Sequence, residues 1–219
     1  MIKTSINLFL IALLSLAQVE ASSLFGKVLS IHDGDTLTFL PNGGSKPAKL
    51  RLLGVDTPEI DFNGNSQGEI ALHARDFLRL LLPLGTSIEI ELPQNGKDSN
   101  NRYLGVIKFN GEDLNAKIIS SGWGAVYFIY PYEKSLVKKY LTLSEEAHKQ
   151  SLGIFSDNYR EEPLPYMFRQ QSKGVVGSNI VGNFLTKKLY VPEKIEEVPH
   201  FHRVFFSSDQ MAKSVGFSW

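Results

Sequence analysis

The alternation of apolar and polar positions divides the chain into short strands and a few helices. Phe25 to Ile31 and Leu37 to Leu40 are apolar and rich in strand formers, separated by the polar turn "HDGD" at 32–35. "PNGG" at 41–44 is a turn signal, and 48–54 is a third strand. After a polar loop at 61–65 the period changes. Ile70, Ala74, Phe77, Leu78 and Leu81 share one face of a helix that Pro83 and Gly85 end. Ser66 and Glu69 stand at capping-box spacing where it begins. Residues 87–92 alternate as a strand, 104–109 form another, and "NGED" turns the chain at 110–113. A short helix is predicted at 114–121 and a longer one at 135–151, with Leu136, Tyr140, Leu143 and Ala147 as its buried stripe.

Three strands, a helix, two strands and two helices suit a five-stranded OB-type barrel, a mainly β fold of the α+β class with about three helices. "EEPLP" at 161–165 marks a boundary between a barrel domain, 22–162, and a small accessory segment, 163–219. In that segment "SNIVGN" and "RVFFSS" are strand-like, and 209–214 is a short helix.

The first 21 residues are different in kind. Lys3 gives a positive start, 6–16 is apolar apart from Asn7 and Ser15, and "VEA" supplies a cleavage site. Such a run is short for a bilayer span and has the layout of a cleaved secretory signal. The expectation is a secreted or periplasmic protein with no stable membrane association after cleavage, and a monomer. The chain has no cysteine, so its core must hold it together without disulfides. Its 23 basic and 23 acidic residues balance, and residues 22–162 carry 15 bases against 18 acids. This argues against a protein that grips nucleic acid mainly through a basic surface. An enzyme that meets nucleic acid briefly, through few phosphate contacts and in a salt-sensitive way, remains open.

Candidate chemistry comes from charges beside apolar strands. Asp33 and Asp35 flank a glycine in "HDGDT"; Arg51, Asp56 and Glu59 lie in "LRLLGVDTPE". Carboxylates at the ends of two strands can face one hard cation such as Ca²⁺, with the Thr57 carbonyl aimed by the extended backbone that Pro58 imposes. Taken alone, "DGD" reads first as a solvated turn, and Arg51 at least as readily as one half of an ion pair. Arg51 and Arg102, near a metal, have the planar forks that bind phosphate oxygens and stabilise a phosphodiester transition state. Glu59 can take the proton of an attacking water.

"DGDT", "LRLLGVDTPE", the arginine of "NNRYLG", the "LNAKIISSGWG" helix and "SEEAHKQSLGIFS" follow in the order of the staphylococcal nuclease (thermonuclease-like) family, which the chain resembles over 26–156. The resemblance implies an OB-type barrel and hydrolysis of DNA or RNA dependent on one Ca²⁺ ion. It implies Asp35, Asp56 and the Thr57 carbonyl as calcium ligands, Asp33 as a supporting acid, and Arg51, Glu59 and Arg102 as the catalytic trio. Phe128 and Tyr130 match two aromatic positions expected to meet the substrate, though the first is usually a tyrosine. Ser99, Asn100 and Asn101 replace the family's usual basic residue, tyrosine and glycine. These departures support an alternative, a catalytically weakened nucleic-acid-binding barrel. The tail, with "VGNFLTKKLYVP" and "RVFFSSDQMAKSVGFSW", resembles the zinc module of alkylation-repair regulators without its cysteines, and carries 7 bases and 4 acids. His200 and His202 are placed on one face of a strand; His32, His73 and His148 have no evident partner.

Overall fold

A computed structural model of the chain describes residues 22–93 and 96–219, so the expected signal segment lies outside the described residues. The chain opens with β1 (Ser22–Ile31), β2 (Thr36–Pro41), β3 (Ala48–Leu52) and the short β4 (Gly54–Asp56). Helix α1 (Glu69–Leu81) precedes β5 (Ser87–Leu92) and β6 (Tyr103–Phe109). Then come β7 (Glu112–Asp113), α2 (Leu114–Ser120), β8 (Ala125–Tyr127) and α3 (Lys134–Lys149). The strands run β3-β2-β1-β5-β6, and a parallel pairing of β3 with β6 closes them into a five-stranded barrel. This is the OB-type architecture that the strand order predicts.

Alternation along the strands fills the barrel. Val28, Leu37, Phe39, Leu50, Leu52, Ile90 and Ile107 are essentially without solvent exposure and form one core. α2 lies across it through Ile118 and Ile119, and Asp113 caps its start by accepting from Ala116 N–H at 2.8 Å. Asn115, fully buried, donates to the carbonyls of Leu53 and Gly105 and accepts from Ile107 N–H. It thus satisfies backbone groups where β3 gives way to β4 and β6 turns past them.

Two helix details differ from expectation. The capping box of α1 does not form: Ser66 Oγ accepts from Gly68 N–H at 3.0 Å, and Gly68 takes the cap position with φ 70°. A hydroxyl two residues from its donor makes a local turn before the helix can use it. On α3 the buried side is Val137, Tyr140, Leu141, Ser144 and Ala147, with Leu136 and Leu143 half-buried at its edge. The stripe is turned by about one residue because α3 packs on both α2 and the tail, so its buried arc is wider than one row.

The tail adds α4 (Pro165–Lys173), β9 (Ile180–Asn183), β10 (Leu189–Tyr190), β11 (Arg203–Phe206) and α5 (Asp209–Ser214). β10, β9 and β11 form a small sheet. β11 is stitched to the chain after β8: Phe205 N–H donates to the Phe128 carbonyl at 2.9 Å, and Tyr130 N–H donates to the Phe205 carbonyl at 2.8 Å. Val204, Phe206, Ala212 and Phe217 join the same apolar cluster as the barrel interior. α4 is not among the predicted helices. Its signals are Pro165 at the first helical position and Gly174 after the last, at φ 63°. His200 and His202 sit in a 3-10 turn, not on a strand, and His200 Nε2 meets His148 Nδ1 on α3 at 3.1 Å.

Candidate active site

The turn between β1 and β2 is shaped by Asp33, whose Oδ1 accepts from Asp35 N–H at 3.0 Å. This fixes Asp35 at the head of β2, pointing to the interior. Asp35 and Asp56 have no exposed surface, and Thr57 has 1%. Asp35 Oδ2 accepts from Thr57 N–H at 2.7 Å, so the loop after β4 is pinned to the loop before β2. Gly34 lets them approach: a Cβ there would lie 2.8 Å from Thr57 Oγ1.

Arg51, on β3, joins the two acids. Its Nη1 lies 2.6 Å from Asp35 Oδ1 and its Nη2 lies 2.6 Å from Asp56 Oδ1. Its charge therefore faces a pair of buried carboxylates, and its side chain, 15% exposed, reaches the rim. Burial works against the Arg51 cation, but Asp35 and Asp56 outweigh it and hold its pKa above the ordinary value. Burial pushes the Asp35 carboxyl up to about 7, even against the Arg51 charge.

Glu59 stands at the mouth, with its side chain 12% exposed. Its backbone N–H donates to Gln67 Oε1 at 3.1 Å, and Gln67 Nε2 donates to the Pro163 carbonyl at 2.9 Å. Burial, then the charge of Asp35, raises the Glu59 pKa, and the guanidinium of Arg169 opposes the shift.

Arg169 is the residue that sequence reasoning missed. It projects from α4, and its two terminal nitrogens take both oxygens of Asp56 at 2.8 and 3.0 Å. Nη1 also reaches Glu59 Oε1 at 2.6 Å. Burial opposes its charge, but Asp56 and Glu59 prevail and keep it more firmly protonated than a free arginine. Tyr127 lies under this guanidinium at 5.8 Å and stacks on Tyr166, whose hydroxyl Arg203 engages. No motif marks Arg169; the signal available was a basic residue on a helix bracketed by proline and glycine.

The remaining predicted residues divide. Arg102 is not in contact with these acids; its Nε and Nη2 both lie 2.7 Å from Asp98 Oδ2. Phe128 does not line the site. It is 2% exposed and packs on Tyr132 and Tyr140, so it cannot stack on a substrate. Alternation along β8 and the residue after it sends Tyr127 toward α4 and Phe128 inward. Tyr130 is half-buried against Tyr132 and Phe206.

The oxygens of Asp35 and Asp56 are the hard, charged donors that a divalent cation such as Ca²⁺ takes. The two carboxylates lie within reach of one guanidinium, and Thr57 Oγ1 beside them is buried without a hydrogen-bond partner. In kind, these residues fit such an ion. Among the described residues, however, no group of three or more acid or histidine side chains converges as a ready-made cage. Guanidinium nitrogens take the positions around Asp56.

Comparison with known proteins gives the family. The profile of staphylococcal nuclease homologues matches residues 49–157, which hold Arg51, Asp56, Glu59 and Arg102. That match ends before the tail, and nothing supports the likeness of the tail to a zinc module. The chain is 27% identical to "Endonuclease YhcR" of Bacillus subtilis over 88% of its own length, but spans only 16% of that protein. It is 30% identical to an "Uncharacterized endonuclease" of Haemophilus influenzae, over 67% of this chain and 74% of the relative. It is 27% identical to "Probable endonuclease lcl3" of Schizosaccharomyces japonicus, over 70% of this chain and 77% of the relative. The chain belongs to the staphylococcal nuclease homologues.

Proposed function

We propose that this protein is a metal-dependent nuclease that hydrolyses phosphodiester bonds of DNA or RNA. The observation that carries the reading is the bridging of Asp35 and Asp56 by one arginine, with Glu59 in the same charged network. Buried acids around a partly exposed guanidinium suit a phosphate: the acids supply cation ligands and the guanidinium supplies phosphate donors. The relatives named as endonucleases support the same reaction class.

Asp35, Asp56 and the Thr57 carbonyl would hold one Ca²⁺ ion. When bound, the ion supplies Lewis-acid polarisation of a phosphate oxygen. Asp33 serves by fixing the turn that aims Asp35. Arg51 binds the scissile phosphate and stabilises the charge that develops there. Glu59, at the mouth of the site, accepts the proton of the attacking water. Arg102 is assigned to the leaving side of the phosphate, and since it is paired with Asp98 it would have to give up that acid to act there. Tyr130 contributes at most an edge contact to the nucleotide. Export through residues 1–21 belongs to the same proposal. Among the described residues no helix is long and apolar enough to cross a membrane.

The test is degradation of plasmid DNA and of RNA with Ca²⁺, with a chelator, and with Glu59→Ala or Arg51→Ala. Cleavage is expected only with the ion and the unaltered chain. Cleavage that survives chelation, or that is unchanged in both variants, overturns the reading. Binding of nucleic acid without cleavage would favour a binding module.

A further inference from the structure

Arg169 lies outside the residues that the family profile matches, yet it makes the densest set of contacts to the acids. Asp56 is fully buried, and all of its described side-chain partners are guanidinium nitrogens: Arg51 and Arg169 on Oδ1, Arg169 on Oδ2. The same Arg169 nitrogen holds Glu59. A planar fork facing a carboxylate in this two-pronged way uses the lone pairs that a cation would use. A hard divalent ion needs those oxygens at about 2.3–2.6 Å, inside the space where the Arg169 nitrogens sit, and it would meet a like charge there.

We propose that Arg169 and a divalent cation exclude each other on Asp56, so that Arg169 is the resident counter-cation of Asp56 and Glu59 and must leave Asp56 when the ion binds. The inference rests on the metal-dependent reading above. Without either cation, Glu59 would lose its charged partner and Asp56 would keep only Arg51, which it shares with Asp35, and that is costly in a largely buried place. The helix that carries Arg169 is anchored independently of it. The Pro163 carbonyl just before α4 is held by Gln67, and Tyr166 is stacked on Tyr127 and engaged by Arg203. The exchange therefore needs a swing of the Arg169 side chain, which is 19% exposed and has a path to solvent, and no movement of α4.

The experiment is calorimetric titration of the full chain with Ca²⁺ alone, no nucleic acid present, for the wild type, Arg169→Gln and Arg169→Lys, with thermal unfolding to verify that each is folded. If Arg169 holds Asp56 about nine-tenths of the time, its removal tightens Ca²⁺ binding about tenfold. Arg169→Gln is expected to show that gain. Arg169→Lys keeps the charge but cannot span both oxygens, and is expected to gain part of it. In the ¹⁵N-labelled wild type, the arginine Nε–Hε signal that disappears in Arg169→Lys is expected to shift on saturation with Ca²⁺. Equal affinities in all three chains overturn the inference. So does an Arg169→Lys chain that binds as the wild type does while Arg169→Gln binds tighter, because that is a field effect without occupancy. If Arg169→Gln does not fold, the Lys variant decides: wild-type affinity overturns the inference. Failure of every chain to bind Ca²⁺ overturns the inference and the metal-dependent reading together, whereas failure of the inference alone leaves wild-type binding intact.

Discussion

Arg169 and Asp56 are 113 positions apart in the chain and meet through two hydrogen bonds, of 2.8 and 3.0 Å. The tail is thereby joined to the acids by charge as well as by packing. Arg51, from the barrel, shares one of the same oxygens at 2.6 Å. Two cations of different origin thus converge on one buried carboxylate.

The fork of Arg51 bridges Asp35 and Asp56 and is the proposed phosphate donor. Arg51→Lys keeps the charge but cannot reach both acids and a phosphate together. Cleavage is expected to fall roughly 10²–10³-fold, as for loss of one transition-state donor. Steady-state assays with a defined oligonucleotide check this, and a variant within a factor of three of wild type would contradict it.

Phe206, on β11, has no exposed surface and packs on Tyr130, Tyr132 and Phe217. Phe206→Ala is expected to destabilise the chain by about 3–5 kcal/mol through lost burial and a residual cavity. Urea unfolding should show a single transition at lower midpoint, because the tail and barrel share one core. A separate early transition with the barrel unaffected would speak against that shared core.

Gly54 begins β4 at φ 75°, and a Cβ there would lie 2.2 Å from the Phe128 ring. Gly54→Ala combines a strained backbone, about 1–3 kcal/mol, with a clash against a buried aromatic. Because Asp56 follows two residues later on the same strand, loss of stability is expected to come with loss of cleavage at temperatures where the chain is still folded. Thermal unfolding and activity, measured together, test this.

The His200 ring stacks on Phe155 at 4.6 Å and meets His148. Its Nδ1 is buried without a partner, which favours the tautomer with the proton on Nε2, donating to His148. Burial, with His148, Arg203 and His202 acting in the same direction, pushes the His200 pKa from 6.5 down to about 3. The folded chain therefore binds fewer protons than the unfolded chain between about pH 3 and 6.5, and stability falls as pH falls through that window. His200→Phe is expected to flatten this part of the Tm-versus-pH curve. A wild-type Tm that is level from pH 7 to 4 would contradict the assignment.

The barrel was legible in the sequence because its signal is local. Leu50 and Leu52 alternate with Arg51, "PNGG" turns the chain, and "NGED" starts α2; each needs only its neighbours. Asp33 and Asp35 share one turn, but the bond of Asp35 to Thr57 spans 22 positions, and it was the likeness to the nuclease family that marked these residues. Phe128 was misassigned because sequence position does not say which side of a two-stranded ribbon faces the core. The pairing of Gly54 with Tyr127 sets that, and it leaves room for the Phe128 ring where Gly54 has no side chain.

By itself, then, the sequence determined the strands and their turns, since periodicity and turn residues decide these, while Asp35, Arg51, Asp56 and Glu59 were marked by the family motif and closure of the barrel rests on the distant pairing of β3 with β6. Only the tertiary structure decided what those acids hold. A guanidinium finds its carboxylates by charge and geometry, without regard to distance along the chain, and no local pattern could announce that Arg169 would close on Asp56 and Glu59.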